Sequence, residues 1–442
     1  MAPFTGDTPK GLLDNSILIE TGTDRIAFGY QRLGDVSRSK EIASRSLAEI
    51  EQWVRSSGLS SWRERGTLGA LAIILPETHG RELIDVATVD DRVPRVAIDS
   101  YLESLILRDP TSVTTRTIQI AERLLDSNRH AHETWSQIFR LACVPGHPMN
   151  GRWLHASLAR QDLAERDSAW SVWLFGTSDP DEHSPVRTLI EWAWPPSLRQ
   201  RVVPDRETGT LAILALGWLL TTSDRRVRDQ ATKAMVAVGE QNVPAFVDAI
   251  KLLLEANDPY IIERVSAAAC GIVLRNSVPN DVHTVADELA AFVAETLPQH
   301  LLTRDYIRSV FQEAAKTGWQ GPSGAPPYGA TRPVDATPHD EIEKLTAPPD
   351  YLYSSIWHSI SGMGDFGKYI LEPAIRDLVV EDRPALLELA ERTIFDRVRN
   401  LGWSPERFDS IDRGLRRGPQ SVKSSETLFV QLMCGSSAGS LM

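Results

Sequence analysis

Along most of the chain, apolar residues recur every three or four positions, the period of a helix with one buried face. Residues 46–53 (SLAEIEQW), 68–75, 96–107 and 117–125 all carry the pattern, and breaker clusters such as SSG, PETHG and RDP follow several of them. The pattern is densest in the centre. Residues 209–220 (GTLAILALGWLL) are apolar on almost every side, which predicts a helix buried all round. The polar loop TTSDRRVRD follows, with Ser223 or Asp224 placed to cap the next helix. Residues 227–238 then align Ala231, Ala234, Met235 and Val238 on one stripe. After a break at Gly239 come a helix over 244–254, a turn at Asn257, Asp258 and Pro259, and a helix over 260–274. Small residues at 267–271 in that last helix admit a close neighbour. No series of strands with hairpin turns and no β-α-β alternation is visible. The prediction is an all-α protein, an irregular α-solenoid-like (HEAT/TPR-like) array of antiparallel helix pairs joined by short turns. No motif returns at a fixed spacing, so periodicity alone names no repeat family.

The same pattern divides the chain. Residues 1–45 form an N-terminal segment with an opening helix, and 46–317 form the helical array. Residues 318–350 hold seven prolines and no apolar period, which reads as a linker or long loop. A helical remainder covers 351–415, with helices at 351–358 and 384–401. The last stretch, 416–442, has little charge and no stripe, and reads as a disordered tail.

Charge and cysteine usage narrow the function classes. The chain has 442 residues, 47 basic and 59 acidic, for a net charge of −12. That balance argues against nucleic acid as the main partner. The basic residues are 39 arginines and eight lysines, which reads as genome composition before it reads as a surface of bidentate ion pairs. Cys143, Cys270 and Cys434 are far apart and make neither a disulfide framework nor a Cys-rich zinc site. No signal-peptide pattern is visible, and the most apolar run, 211–220, is half the ~20 residues of a membrane span. A cytoplasmic protein without a membrane partner is expected.

Few residues suggest chemistry. GMGDFGKY sets Gly362, Gly367 and Lys368 in the register of a phosphate-binding loop, but Tyr369 stands where a Mg²⁺-binding Ser or Thr is needed. The preceding YSSIWHSIS also reads as helix rather than strand, so a glycine-rich turn between helices is predicted, without nucleotide binding. His130, His132, His147 and His155 surround Cys143, at spacings that match no compact zinc pattern; exposed or capping histidines are expected, and no metal. No GxSxG, HExxH or isolated carboxylate pair is present, so no catalytic residue and no cofactor is predicted. Trp153, Trp170, Trp173, Trp192, Trp194 and Trp218 crowd into one region. Helix–helix packing is the plainer role for them, and a protein-binding face rich in Trp and Arg is the alternative.

Several of these segments resemble the helical sensor region of the large bacterial STAND NTPases of the antiviral Avs type. The resemblance begins at residues 26–35 (IAFGYQRLGD) and continues through HPMNGRWLHASL, AERDSAW and LIEWAW. Its most specific stretch is 217–234 (GWLLTTSDRRVRDQATKA), followed by DPYIIER at 258–264, GDFGKY at 364–369 and LGWSPERFDSIDR at 401–413. It implies that GDFGKY is a structural turn. It also implies a truncated family member, lacking the NTPase module and effector domain, whose helices bind a foreign protein, a phage protein being the expected ligand. Exposed Trp and Arg on one face would make the contact. An autonomous HEAT-like interaction scaffold unrelated to defence is the alternative, and a hydrolase assembled from scattered residues is the weakest reading.

Overall fold

The computed structural model describes residues 17–20, 26–90, 92–127, 129–177, 184–197, 203–295, 297–298, 300–321, 359–361, 364–377 and 382–403. The fold is all-α, as the apolar period predicts. It divides into two compact units, Met1–Leu141 with Gly146–Pro148, and Ala142–Pro145 with Met149–Met442.

The first unit opens with a feature the sequence reading did not anticipate, a two-stranded antiparallel hairpin of β1 (Leu18–Glu20) and β2 (Ile26–Phe28). Strands of three residues are too short for alternation to register as a pattern. Among the described residues seven α-helices follow: α1 (Gln31–Ala43), α2 (Leu47–Trp53), α3 (Arg65–His79), α4 (Leu83–Ala87), α5 (Arg95–Leu105), α6 (Thr115–Leu125) and α7 (Ala131–Leu141). Ser46 and Glu49 close a reciprocal capping box on α2, the arrangement their i, i+3 spacing favours. Helices α1, α3, α5 and α7 pack in succession as one layer, with α2 against α4 beside them. Ile42, Ile50, Leu68, Leu71, Leu75 and Leu83 fill the space between. A buried ion pair ties the far side together. Arg108 donates to both carboxylate oxygens of Glu82 at 2.9 and 2.8 Å, and its Nε donates to Ser104 Oγ at 3.0 Å.

The second unit begins with α8 (Gly151–Ala159) and α9 (Leu163–Arg166). A π-turn over Asp167–Ser171 carries the chain without a break into α10 (Val172–Gly176). Next come α11 (Pro185–Ala193), α12 (Arg206–Leu219), α13 (Arg225–Gly239), α14 (Val243–Leu253), α15 (Pro259–Val273), α16 (Pro279–Glu295) and α17 (Leu301–Lys316). They stack as two layers. Helices α11, α13, α15 and α17 pack in succession on one side, and α8, α12, α14 and α16 on the other. Helices of the second layer start at Arg206, Val243 and Pro279, a spacing of about 36 residues that falls in the range of helical repeats.

Local chemistry explains where these helices start. Asp205, Asp224, Asn242 and Asp258 each cap the following helix by accepting a backbone N–H with the side chain, and Pro244 and Pro259 occupy first-turn positions whose N–H needs no partner. Of the two expected caps in TTSDRR, Asp224 does the capping. Helix α12 is buried at every position from Gly209 to Leu219, which is why it reads as apolar all round. Gly151 shows how closely α8 approaches it. A side-chain carbon there would lie 2.8 Å from the Leu211 carbonyl oxygen, so only glycine fits.

A smaller helical cluster follows in the same unit: a π-turn over Gly367–Leu371, α18 (Glu372–Arg376) and α19 (Arg383–Asn400), capped by Asp382. Ile360, Phe366, Leu371, Ile375, Ile394, Phe395 and Val398 form its core. It meets the array where Ala164 N donates to Leu401 O at 3.3 Å. The expected helix at 351–358, most of the 318–350 linker and the 416–442 tail lie outside the described residues.

Candidate functional site

The polar chemistry of the second unit gathers around Arg166, the last residue of α9. Its side chain is fully buried. Nη1 donates to the Leu158 carbonyl at 3.2 Å, the Gln161 carbonyl at 3.3 Å and Asn257 Oδ1 at 2.7 Å. Nη2 donates to Asp258 Oδ2 at 3.3 Å. The guanidinium lies over the Trp218 ring, 5.3 Å from its centroid. One side chain thus ties the end of α8, the end of α12 and the turn before α15. A guanidinium suits this role because its planar fork serves several acceptors at once.

The partners are themselves fixed. Asp258 uses its other oxygen to accept from Tyr260 N at 3.0 Å, so one carboxylate caps α15 and neutralises Arg166. Asn257 Nδ2 donates to Gln161 O at 3.1 Å. Trp170 Nε1 donates to the Trp218 carbonyl at 3.2 Å and to Thr221 Oγ1 at 3.1 Å, and its ring lies 4.7 Å from that of Trp173. Next along the chain, Asp167 accepts from Ser171 Oγ at 2.7 Å across the π-turn. Burial pushes its carboxyl up to about 7; the Ser171 hydrogen bond opposes this, nearby Asp258 adds to it and Arg166 opposes it. Arg228 continues the network into α13, donating to Thr222 O at 2.6 Å and lying 4.5 Å from the Tyr260 ring centroid.

The structure disperses the residues singled out by pattern. Lys368 and Tyr369 sit on the Gly367–Leu371 π-turn, and Ile360 before them is helical, so the strand–loop–helix frame of a phosphate loop is not formed by the described residues. Gly367 is needed for packing: a side-chain carbon there would lie 2.2 Å from Ser361 O. Gly362 lies outside the described residues. His147, in the first unit, is buried and held by the Leu105 backbone, while His155 packs against Trp218 with ring centroids 5.7 Å apart. Burial holds both below the ordinary histidine value. This corrects the expectation of exposed or capping histidines at 147 and 155. His130 is held down by burial and by Arg129. Burial raises the Cys143 thiol to about 12, the opposite of a reactive thiolate. No group of three or more His, Cys, Asp or Glu among the described residues is arranged to hold a metal ion.

Of the tryptophans, Trp170, Trp173 and Trp218 are core residues, Trp153 and Trp192 are half-buried, and Trp194 is partly exposed beside Lys233, whose Nζ lies 5.0 Å from its ring centroid. No local pattern joins Arg166, Asn257 and Asp258 in one site. The available signal was the Asp-Pro pair, which marks a helix start and says nothing of a partner 92 residues away. No helix among the described residues is long and apolar enough to cross a membrane. No known protein family, curated protein or solved structure matches this chain.

Proposed function

We propose that the chain is a non-enzymatic, protein-binding helical sensor region of the STAND antiviral type, with a phage protein as its ligand. The observation that carries this reading is a convergence. The segments AERDSAW, GWLLTTSDRRVRDQATKA and DPYIIER, far apart in the sequence, supply Arg166, Trp218, Arg228 and Asp258 to one network. A resemblance confined to helix-forming composition would scatter over the surface, whereas this one follows residues that fix how successive helices stack. The network's side chains are buried and bond mainly to one another, which suits a frame for a binding surface. Two layers of helices repeated along one direction provide such a surface.

The test uses the purified full chain and a panel of purified phage capsid, portal and terminase proteins in titration calorimetry. One panel member should bind with a dissociation constant near or below 1 μM, about −8 kcal/mol. No binding to any panel member, with specific binding to a host protein, would replace this reading with the autonomous scaffold.

A further inference from the structure

One end of the first unit leaves large aromatic side chains in solvent. Trp62, in the 3₁₀ turn before α3, is 76% exposed, and Tyr30, which precedes α1, is 65% exposed. Ile19 and Phe28 of the hairpin and Leu33 of α1 are exposed as well. These residues share one end of the unit because α1 and α3 lie side by side. Arg38 pairs with Glu64 at 3.0 Å, and the Gly66 backbone presses against the Asp35 carboxylate. Phe28 is held against Gly34, which fixes the hairpin to the first turns of α1. A two-stranded hairpin is marginal in water without such support, yet it keeps two of its apolar side chains outward.

Among the described residues, charge on this end is one-sided. Glu64 is taken by Arg38, and Asp35 faces inward to accept from Thr67 Oγ1 at 3.3 Å. Arg32, Arg63 and Arg65 are exposed and have no carboxylate partner among the described residues; Arg63 instead lies over the Trp62 ring, 5.7 Å from its centroid. A chain of net charge −12 thus places, around exposed Trp and Tyr, three arginines without a carboxylate partner among the described residues. Trp, Tyr and Arg are the residues that dominate binding hot spots, and positive potential selects a negative partner.

We infer that this end of the first unit docks an acidic peptide segment carrying large apolar side chains, supplied by a partner protein. The apolar groups cover Trp62 and Tyr30, and the carboxylates meet Arg32, Arg63 and Arg65. The inference rests on the protein-binding reading and adds the surface and the chemistry of its partner.

The probe is a fluorescein-labelled peptide, EEFLEEFLE, titrated with the full chain and followed by anisotropy; KKFLKKFLK is its charge-reversed control. Saturable binding of the acidic peptide is expected, weakened at least tenfold by Trp62→Ala and by the double change Arg32→Glu with Arg65→Glu, and weakened further by salt. All three side chains are exposed, so the variants should keep the wild-type melting curve. Equal binding of both peptides, or acidic-peptide binding indifferent to these variants, overturns the inference. So does self-association in sedimentation equilibrium that Trp62→Ala abolishes, which would make a second copy the occupant. Tighter binding to phosphatidylglycerol vesicles than to the peptide would assign the patch to lipid and equally overturn it. The two readings separate cleanly. A phage protein bound as well by Trp62→Ala as by wild type sinks this surface alone, whereas Trp62-dependent peptide binding with no phage ligand sinks the sensor reading alone.

Discussion

Replacing Arg166 with Met tests the central network most directly. The methionine keeps the unbranched stem against Trp218 and removes the guanidinium, so Asn257 Oδ1 loses its donor and the Leu158 and Gln161 carbonyls each lose one of theirs. It also leaves Asp258, whose side chain is only 6% exposed, as an uncompensated buried carboxylate. Breaking a buried ion pair from one side costs about 3–5 kcal/mol. Against a typical total of about 5–15 kcal/mol, that is a large share of the stability of the second unit. Adding Asp258→Asn should return about 2 kcal/mol, because Asn still caps α15 and carries no charge to strand. Arg166→Lys should rescue poorly, since one ammonium cannot span the acceptors on both sides of the fork. Urea denaturation followed by far-UV circular dichroism and tryptophan fluorescence measures all five proteins: wild type, Arg166→Met, Asp258→Asn, the double change and Arg166→Lys. A cost below about 1 kcal/mol for Arg166→Met, or strict additivity of the Arg166 and Asp258 changes, would refute the clamp.

Asp167→Asn should stabilise the protein at neutral and alkaline pH. The folded carboxyl titrates near 7, against an ordinary value of 3.8, so the folded state holds the proton more tightly than the unfolded chain. Stability is therefore lost as pH rises from about 4 to 7 and is level above that. A displacement of that size has a ceiling of about 4 kcal/mol; partial solvation of the site brings the expectation to about 1–2 kcal/mol. Unfolding curves of both proteins at pH 5, 6, 7 and 8.5 check this, and parallel pH profiles would dispose of it. Gly151→Ala should cost more than about 2 kcal/mol, because the new methyl meets the Leu211 carbonyl, which is backbone and cannot rotate away; an unchanged melting temperature would contradict the close approach. At Asp258, Ser and Ala separate two roles. Both strand Arg166, but Ser keeps a capping oxygen, so Ala should be the less stable by about 1 kcal/mol in the same urea assay.

The array was legible because its signals are local. A helix such as α12 is apolar on all sides since it is buried on all sides, and that property is written in consecutive residues. The start of α13 was legible for the same reason, since Asp224 caps it from within two residues. The network was not legible. Arg166 and Asp258 look like ordinary solvated charges in AERDSAW and NDPYIIER, and only the stacking of α8, α12 and α15 removes them from water. For the tryptophan cluster the plainer role holds, since Trp170, Trp173 and Trp218 pack in the core. Pattern shows where aromatic residues are dense, not which way they point, so the core residues Trp170, Trp173 and Trp218 drew attention while exposed Trp62 passed unremarked.

The arginine excess acquires a physical use from the same geometry. Composition alone offered genome bias as the plainer account, and bias can supply arginines without placing them. In the structure several of them are placed in forks. Arg108 grips both oxygens of Glu82, Arg206 both oxygens of Asp248, and Arg152 both oxygens of Glu207. The last two pairs join neighbouring helices of the second layer, α12 to α14 and α8 to α12, at exposed positions where a single such pair contributes little. Their value lies in register. A stack of similar helices can slip by a turn at small hydrophobic cost, whereas a two-pronged bond satisfies its geometry in one alignment only. Buried Arg166 does the same among helices of both layers, at higher stakes because its charge cannot be left alone. Arginines committed in this way are unavailable to a partner, which is why Arg32, Arg63 and Arg65, without a carboxylate partner among the described residues, mark the surface where recognition is expected.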